Sequence, residues 1–178
     1  MRPADFRDAE PAFDPIDYLT GPVSSWGVIE SRTGEPLRRF RTEVVGTPAR
    51  DGTLRLDQHF VFENGDTEDR TWALTRTDSH TIQATSPDVS GVASGEVWGN
   101  AFHYSYILKT NPGNPFTNVR MNHWMYLQRD GTVINRVRVS KLGITLRTIT
   151  EVFRRGAEPV PSIGTEAGTA NDDPVSRD

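Results

Sequence analysis

The side chains that could do acid-base or nucleophilic chemistry are spread thinly along this chain, and few stand at the spacings such chemistry demands. The four histidines, His59, His80, His103 and His123, show neither His-x-His nor His-x-x-x-His spacing, so a zinc or iron site would need them to meet only in three dimensions. There is no Gly-x-Ser-x-Gly elbow, and Ser140-Lys141 lacks the spacing of a serine-lysine nucleophile pair. The absence of cysteine excludes disulfides, thiolate ligands and cysteine nucleophiles. Asp57 and Asp88 could form a carboxylate pair for proton transfer, although acids of this kind more often serve in turns or salt bridges. Neither a metal nor another cofactor is expected.

The glycine-rich run over residues 90–100, SGVASGEVWGN, superficially resembles a phosphate-cradling loop. Such a loop needs a strand before it and a helix after it, whereas this one runs into the β-like AFHYSYIL with no following Gly-Lys-Ser or Gly-Lys-Thr. Its glycines are better suited to a bend, a bulge or a close strand approach.

More informative is polar cargo carried on otherwise apolar runs: Arg70 beside Trp72, Asn100 before Phe102, Tyr104 and Tyr106, Asn122 and His123 before Trp124, then Asn135, Arg136 and Lys141. Each such group, once buried, must find a partner or cost a few kilocalories per mole, so several are expected to converge on a pocket.

The elements that would carry these residues are strands. Alternating apolar and polar runs recur every ten to thirteen residues at 25–31, 37–46, 54–63, 70–77, 80–85, 92–108 (one or two pieces), 119–128, 133–141 and 144–153, separated by turn residues such as Arg-Asp-Gly and Glu-Asn-Gly-Asp. Only residues 13–19, with Asp-Pro-Ile-Asp, read as a short helical turn, suited to capping one end of a barrel. About nine or ten consecutive strands leave two edges unless the sheet closes, which predicts an all-β, up-and-down antiparallel barrel of calycin or lipocalin type; an open sandwich is the alternative. Alternation sets Leu54, Leu56, Gln58, Phe60 and Phe62 on one face, and Val119, Met121, His123, Met125 and Leu127 on another.

With 178 residues and 35% hydrophobic content the chain supports one domain, placed at 13–155 between expected disordered ends at 1–12 and 156–178. A formal net charge of −4 disfavours a general nucleic-acid or anionic-membrane binder, though local arginine clusters could still matter. No uninterrupted apolar run opens the chain and none later is long enough to span a membrane, so a cytoplasmic protein without a transmembrane segment is expected.

The blocks WG at Trp26, RRF at 38–40, LDQHF at 56–60, RTW at 70–72, DVSGVASGEVWGNAFHYSY at 88–106, NHWMYL at 122–127 and NRVRVSKLG at 135–143 resemble those of the bacterial family called domain of unknown function 3833. The resemblance spans roughly residues 13–154. It implies relatives that look like envelope lipoproteins, carrying a lipid-attachment cysteine that this chain lacks. It also implies a genomic association with lipid-modifying enzymes of the cyclopropane fatty acid synthase type, and hence a role in membrane-lipid modification or the handling of acyl chains. The family favours an acidic pair before its Trp-Met, where this chain has Asn122 and His123.

Together these readings give a barrel that binds an acyl chain or other small apolar ligand, with candidate binding residues Trp26, Asp57, Arg70, Trp72, Asn100, Tyr104, Tyr106, Trp124, Asn135 and Lys141. Arg70, Asn100 and Lys141 would fix a polar head. Two alternatives stand beside it: an enzyme using Asp57, His123 or Tyr104 for proton transfer with Arg70 as an electrostatic clamp, and a structural or protein-interaction module whose aromatic surface docks a protein partner.

Overall fold

The computed structural model describes residues 1–111 and 113–156. Ten strands follow one another: β1 (Gly21–Ser31), β2 (Pro36–Pro48), β3 (Leu54–Phe62), β4 (Thr67–Arg76), β5 (Thr81–Thr85), β6 (Val89–Trp98), β7 (Ala101–Leu108), β8 (Val119–Leu127), β9 (Val133–Lys141) and β10 (Ile144–Arg155). Each pairs antiparallel with its sequence neighbours, and β1 pairs with β10, so the sheet closes into an up-and-down barrel without an edge. The run expected as one or two pieces is two strands, β6 and β7, turned at Gly99 with φ +51.

Alternation decides what points inward. Leu54, Leu56, Gln58 and Phe60 face the interior from β3, as Met121, His123 and Met125 do from β8. At the end where β8 turns into β9, large side chains fill the barrel: Leu54, Leu74, Ile82, Val133 and Phe153 are all buried. A short helix, α1 (Pro15–Tyr18), seals this end, started by the Asp14 side chain accepting from Ile16 and Asp17 amides. The Tyr18 hydroxyl donates to the carbonyls of Gly131 at 2.9 Å and Phe153 at 3.1 Å, tying the helix to two strand ends.

Residues 1–12, expected to be disordered, instead form a 3-10 turn (Pro3–Phe6) laid on the outer wall. Phe6 packs its ring 5.9 Å from Trp124 and 5.6 Å from Tyr126, which gives outward-facing aromatics a cover that composition alone did not reveal. The expectation for 156–178 falls, beyond Gly156, outside the described residues. The glycine-rich run does supply a bulge, between Ser90 and Ser94, and a close approach: a Cβ at Gly95 would collide with Tyr104 Cβ and the His103 carbonyl. Among the described residues no helix is long and apolar enough to cross a membrane.

Candidate functional site

Opposite α1 the barrel is hollow. A cavity of about 970 Å³ opens between the β5–β6, β7–β8 and β9–β10 connections, near the upper end of the ~300–1,000 Å³ usual for small-molecule sites. Its walls are largely apolar, with Phe40, Phe60, Phe62, Leu108, Met121 and Ile149 on successive inward positions. A smaller space of about 130 Å³ continues inward and shares Phe40, Phe60, Arg70, Met121 and Ile149 with it.

Arg70 stands at that junction, its side chain 14% exposed. Nε lies 2.7 Å from Asp88 Oδ2 and Nη2 lies 2.9 Å from Glu68 Oε1, with the guanidinium 5.7 Å from the centre of the Phe60 ring. Two carboxylates therefore neutralise this arginine before any ligand arrives. A ligand carboxylate would have to compete with Asp88 and Glu68.

Below Arg70 lies a layer of buried polar groups. Glu151, buried on β10, accepts the Ser25 hydroxyl at 2.6 Å on one oxygen and Asn135 Nδ2 at 3.1 Å on the other. Gly27 and Asn135 are its cross-strand partners, and the absent side chain of Gly27 leaves room for the Phe40 ring. Burial, opposed by the two hydrogen bonds, pushes the Glu151 carboxyl up to about 7, so it exchanges its proton near neutrality.

His123 stacks on Tyr104 with centroids 4.2 Å apart and is held by burial at about 3, hence neutral. Asn135 lies close enough to favour its charge without hydrogen-bond alignment. Neither ring nitrogen of His123, nor Asn135 Oδ1 or Thr42 Oγ1, finds a partner among the described residues. Those of His123 and Asn135 line the smaller space, where orphaned polar groups are positions for a ligand or water. Burial also raises the Tyr104 and Tyr106 hydroxyls above their usual range, keeping both as neutral donors.

Of the ten residues expected at the site, the structure brings Arg70 to the junction of chamber and inner space, and Trp72, Tyr104, Tyr106 and Asn135 to the smaller inner space alone. The other five reach neither. Trp26 falls on the outward phase of β1, between inward Ser25 and Gly27, and Trp124 on that of β8, beneath Phe6. Asp57 is also outward: Arg55 pairs with it at 2.9 Å and Thr71 donates to it, which holds its carboxyl below the usual range and removes it as a cavity base. Asn100 sits in the β6–β7 turn and donates to the Leu127 carbonyl at 3.2 Å. Lys141 ends β9 on the rim, its ammonium on the Phe116 carbonyl. The acidic pair Asp57 and Asp88 is thereby split between wall and mouth.

The reading from sequence missed Glu151, Ser25 and Thr42. Glu151 had a legible sign: in Ile149-Thr150-Glu151-Val152-Phe153 it occupies the same alternation phase as Ile149 and Phe153, a carboxyl on an apolar face. Among the described residues no group of three His, Asp or Glu side chains is placed to hold a metal ion.

The architecture defines a lipocalin-like barrel, filled and sealed at one end and open to a chamber at the other. Within that class the chain belongs to the family described as protein of unknown function (DUF3833), whose pattern matches residues 1–155. No curated protein is detectably similar in sequence. Two solved structures share the fold. The S-type phycobiliprotein lyase CPES from Guillardia theta superposes with TM-score 0.57 at 5% identity, over 78% of this chain and 87% of that one. Rv2717c from M. tuberculosis superposes with TM-score 0.57 at 16% identity, over 84% of this chain and all of that one.

Proposed function

We propose that the barrel binds a small ligand with an apolar body, an acyl chain being the class its walls fit best. One observation carries the reading: a solvent-open chamber of about 970 Å³ stays lined by apolar side chains instead of being packed shut. A barrel serving only as a folded core would gain stability by filling that space. The fold shared with a phycobiliprotein lyase agrees with a small-ligand role.

In this reading the polar head moves away from Arg70. Arg70 is already paired, so an anionic head is better met at the mouth by Arg147, which lines the chamber and has no carboxylate partner among the described residues. The apolar body then lies between Arg147 and Arg70. Titration with a series of fatty acids of increasing length, followed by calorimetry and melting temperature, tests this. Binding should strengthen with each added methylene until the chamber is full, by up to ~0.8 kcal/mol per CH₂. Absence of heat and of any melting shift across the series removes the reading.

A second reading is favoured by Glu151 alone. A buried carboxyl that titrates near 7, held by Ser25 and Asn135 and lining the same inner space as the unpartnered His123, is suited to moving a proton to or from a bound ligand. This replaces Asp57 as the acid-base candidate. Mass spectrometry of a bound ligand after incubation with wild type and Glu151→Gln separates the two readings. Chemical change with the wild type alone supports an enzyme, and an unchanged ligand with both supports a carrier.

A further inference from the structure

The rim of the chamber is asymmetric in charge and in exposed apolar surface. Between Lys109 and Thr150 the sequence holds seven Lys and Arg residues and a single acid, Asp130, in a chain whose net charge is −4. Asp130 lies in the β8–β9 turn at the sealed end. Lys109, Arg120, Lys141 and Arg147 therefore border one arc of the mouth, and none has an ion-pair partner among the described residues. The acids Glu63, Asp66 and Glu68 lie on the opposite arc, along β3 and β4, while Asp88 adjoins Lys109, whose amide donates to the Asp88 carbonyl, and turns its carboxylate to Arg70.

The cationic arc carries the largest exposed apolar side chains of the rim. Leu142 is 94% exposed, Phe116 85% and Ile144 58%. Lys141 reaches the Phe116 carbonyl, so the β7–β8 loop and the β9–β10 turn stand side by side. The turn projects: β8 pairs with β9 only as far as Ser140, and β1 with β10 only as far as Arg147.

Its tip is also built against local preference. Leu142 has φ +49 and Gly143 φ +81, a two-residue turn with both positions left-handed, where Asn-Gly or Gly-Gly is the favoured pair. Leu142 is the one non-glycine residue with positive φ among the described residues. A bulky side chain there costs strain and, fully exposed, returns no packing to the fold. Apolar groups on projecting tips, backed by unpaired cations, match an interface that is anionic on its surface and apolar beneath it.

We infer that this arc of the mouth docks on bilayers containing anionic phospholipid, with Leu142, Ile144 and Phe116 entering the acyl boundary and Lys109, Arg120, Lys141 and Arg147 facing the headgroups. The chamber then opens against the membrane, and an apolar ligand can pass between the two without crossing water. Docking itself does not depend on the ligand reading and is measured separately from it.

Co-sedimentation of the full chain with phosphatidylcholine vesicles, with and without about one third phosphatidylglycerol, is the test. Binding should require the anionic lipid and weaken as salt shortens electrostatic range. Leu142→Asn should lower the partition coefficient about tenfold or more while melting at the same or a higher temperature, because asparagine relieves the left-handed position. Arg120→Ala with Lys141→Ala should lower it roughly fivefold for each cation removed. No binding to the anionic vesicles overturns the inference, as does undiminished binding by Leu142→Asn. So does a wild type that binds no vesicle but forms a dimer that Leu142→Asn dissolves, since the tips would then join two copies of the chain.

Discussion

The Ser25 hydroxyl stands 2.6 Å from Glu151 Oε1, two strands' worth of side chain meeting inside the barrel with almost no solvent between them. Because the carboxyl is pushed up to about 7 from its ordinary 4.5, the folded chain holds a proton that the unfolded chain has released over that interval. Stability attributable to Glu151 therefore falls as pH rises from about 4.5 to 7, by on the order of 3 kcal/mol in all. His123 has the opposite sign. Held at about 3 against an ordinary 6.5, it makes stability rise with pH between those values. Between about 4.5 and 6.5 the two slopes oppose each other, so wild type should show a shallow dependence in urea titrations across this range. Glu151→Gln should uncover the rising slope of His123. An unchanged pH profile in that variant would show that Glu151 does not titrate as its surroundings dictate.

Val139 lines the wide chamber and not the narrow space beneath it. Val139→Trp puts an indole into open volume, where extra atoms meet space instead of packed neighbours, so the melting temperature should move by only a few degrees. Affinity for the best fatty acid of the series should fall about tenfold or more, read by calorimetry. Retained affinity would place the ligand elsewhere.

The barrel was legible because a closed sheet writes itself into sequence twice, as alternation along each strand and as a turn signal at each end. That is why the alternating run at 133–141 coincides with β9 and the run at 54–63 nearly with β3. The site was harder. Arg70, Trp72, Tyr104, Tyr106 and Asn135 share a phase with clearly apolar neighbours and could be assigned inward, whereas Trp26 and Trp124 are large and apolar yet face out. Trp124 is covered by Phe6, a contact between residues more than a hundred positions apart that no local pattern encodes. Asp57 is a candidate by residue type, as half of a carboxylate pair with Asp88, but its pairing with Arg55 two residues away is what an outward strand position produces. Glu151 carries only its alternation phase as a local sign, because its partners Ser25 and Asn135 come from two other strands.

Arg70 is expected to matter for stability as much as for recognition. Arg70→Met leaves Asp88 and Glu68 facing each other near the chamber neck without their shared cation, at distances that were 2.7 and 2.9 Å from it. A loss of about 1–3 kcal/mol is expected in denaturant titrations at neutral pH, tempered by the partial exposure of both acids. Adding Asp88→Asn should recover part of it. If the double variant is no more stable than Arg70→Met, the loss comes from packing on Phe60 and not from charge.

The seal at the closed end rests on a glycine. Gly46 faces the backbone of Leu19 so closely that a Cβ would overlap the Leu19 carbonyl oxygen, and backbone cannot swing aside as a flexible side chain would. Gly46→Ala must therefore lift the residues after α1 off the barrel, at a cost of about 2 kcal/mol or more. Tyr18→Phe strikes the same seal from its other side by removing the donor to Gly131 and Phe153, for about 1–2 kcal/mol. Once Gly46→Ala has displaced the helix, those two hydrogen bonds are already strained. The double variant should accordingly lose clearly less than the sum of the single losses in thermal melts. Full additivity would mean that the helix keeps its seat and that the barrel wall near Gly46 yields instead.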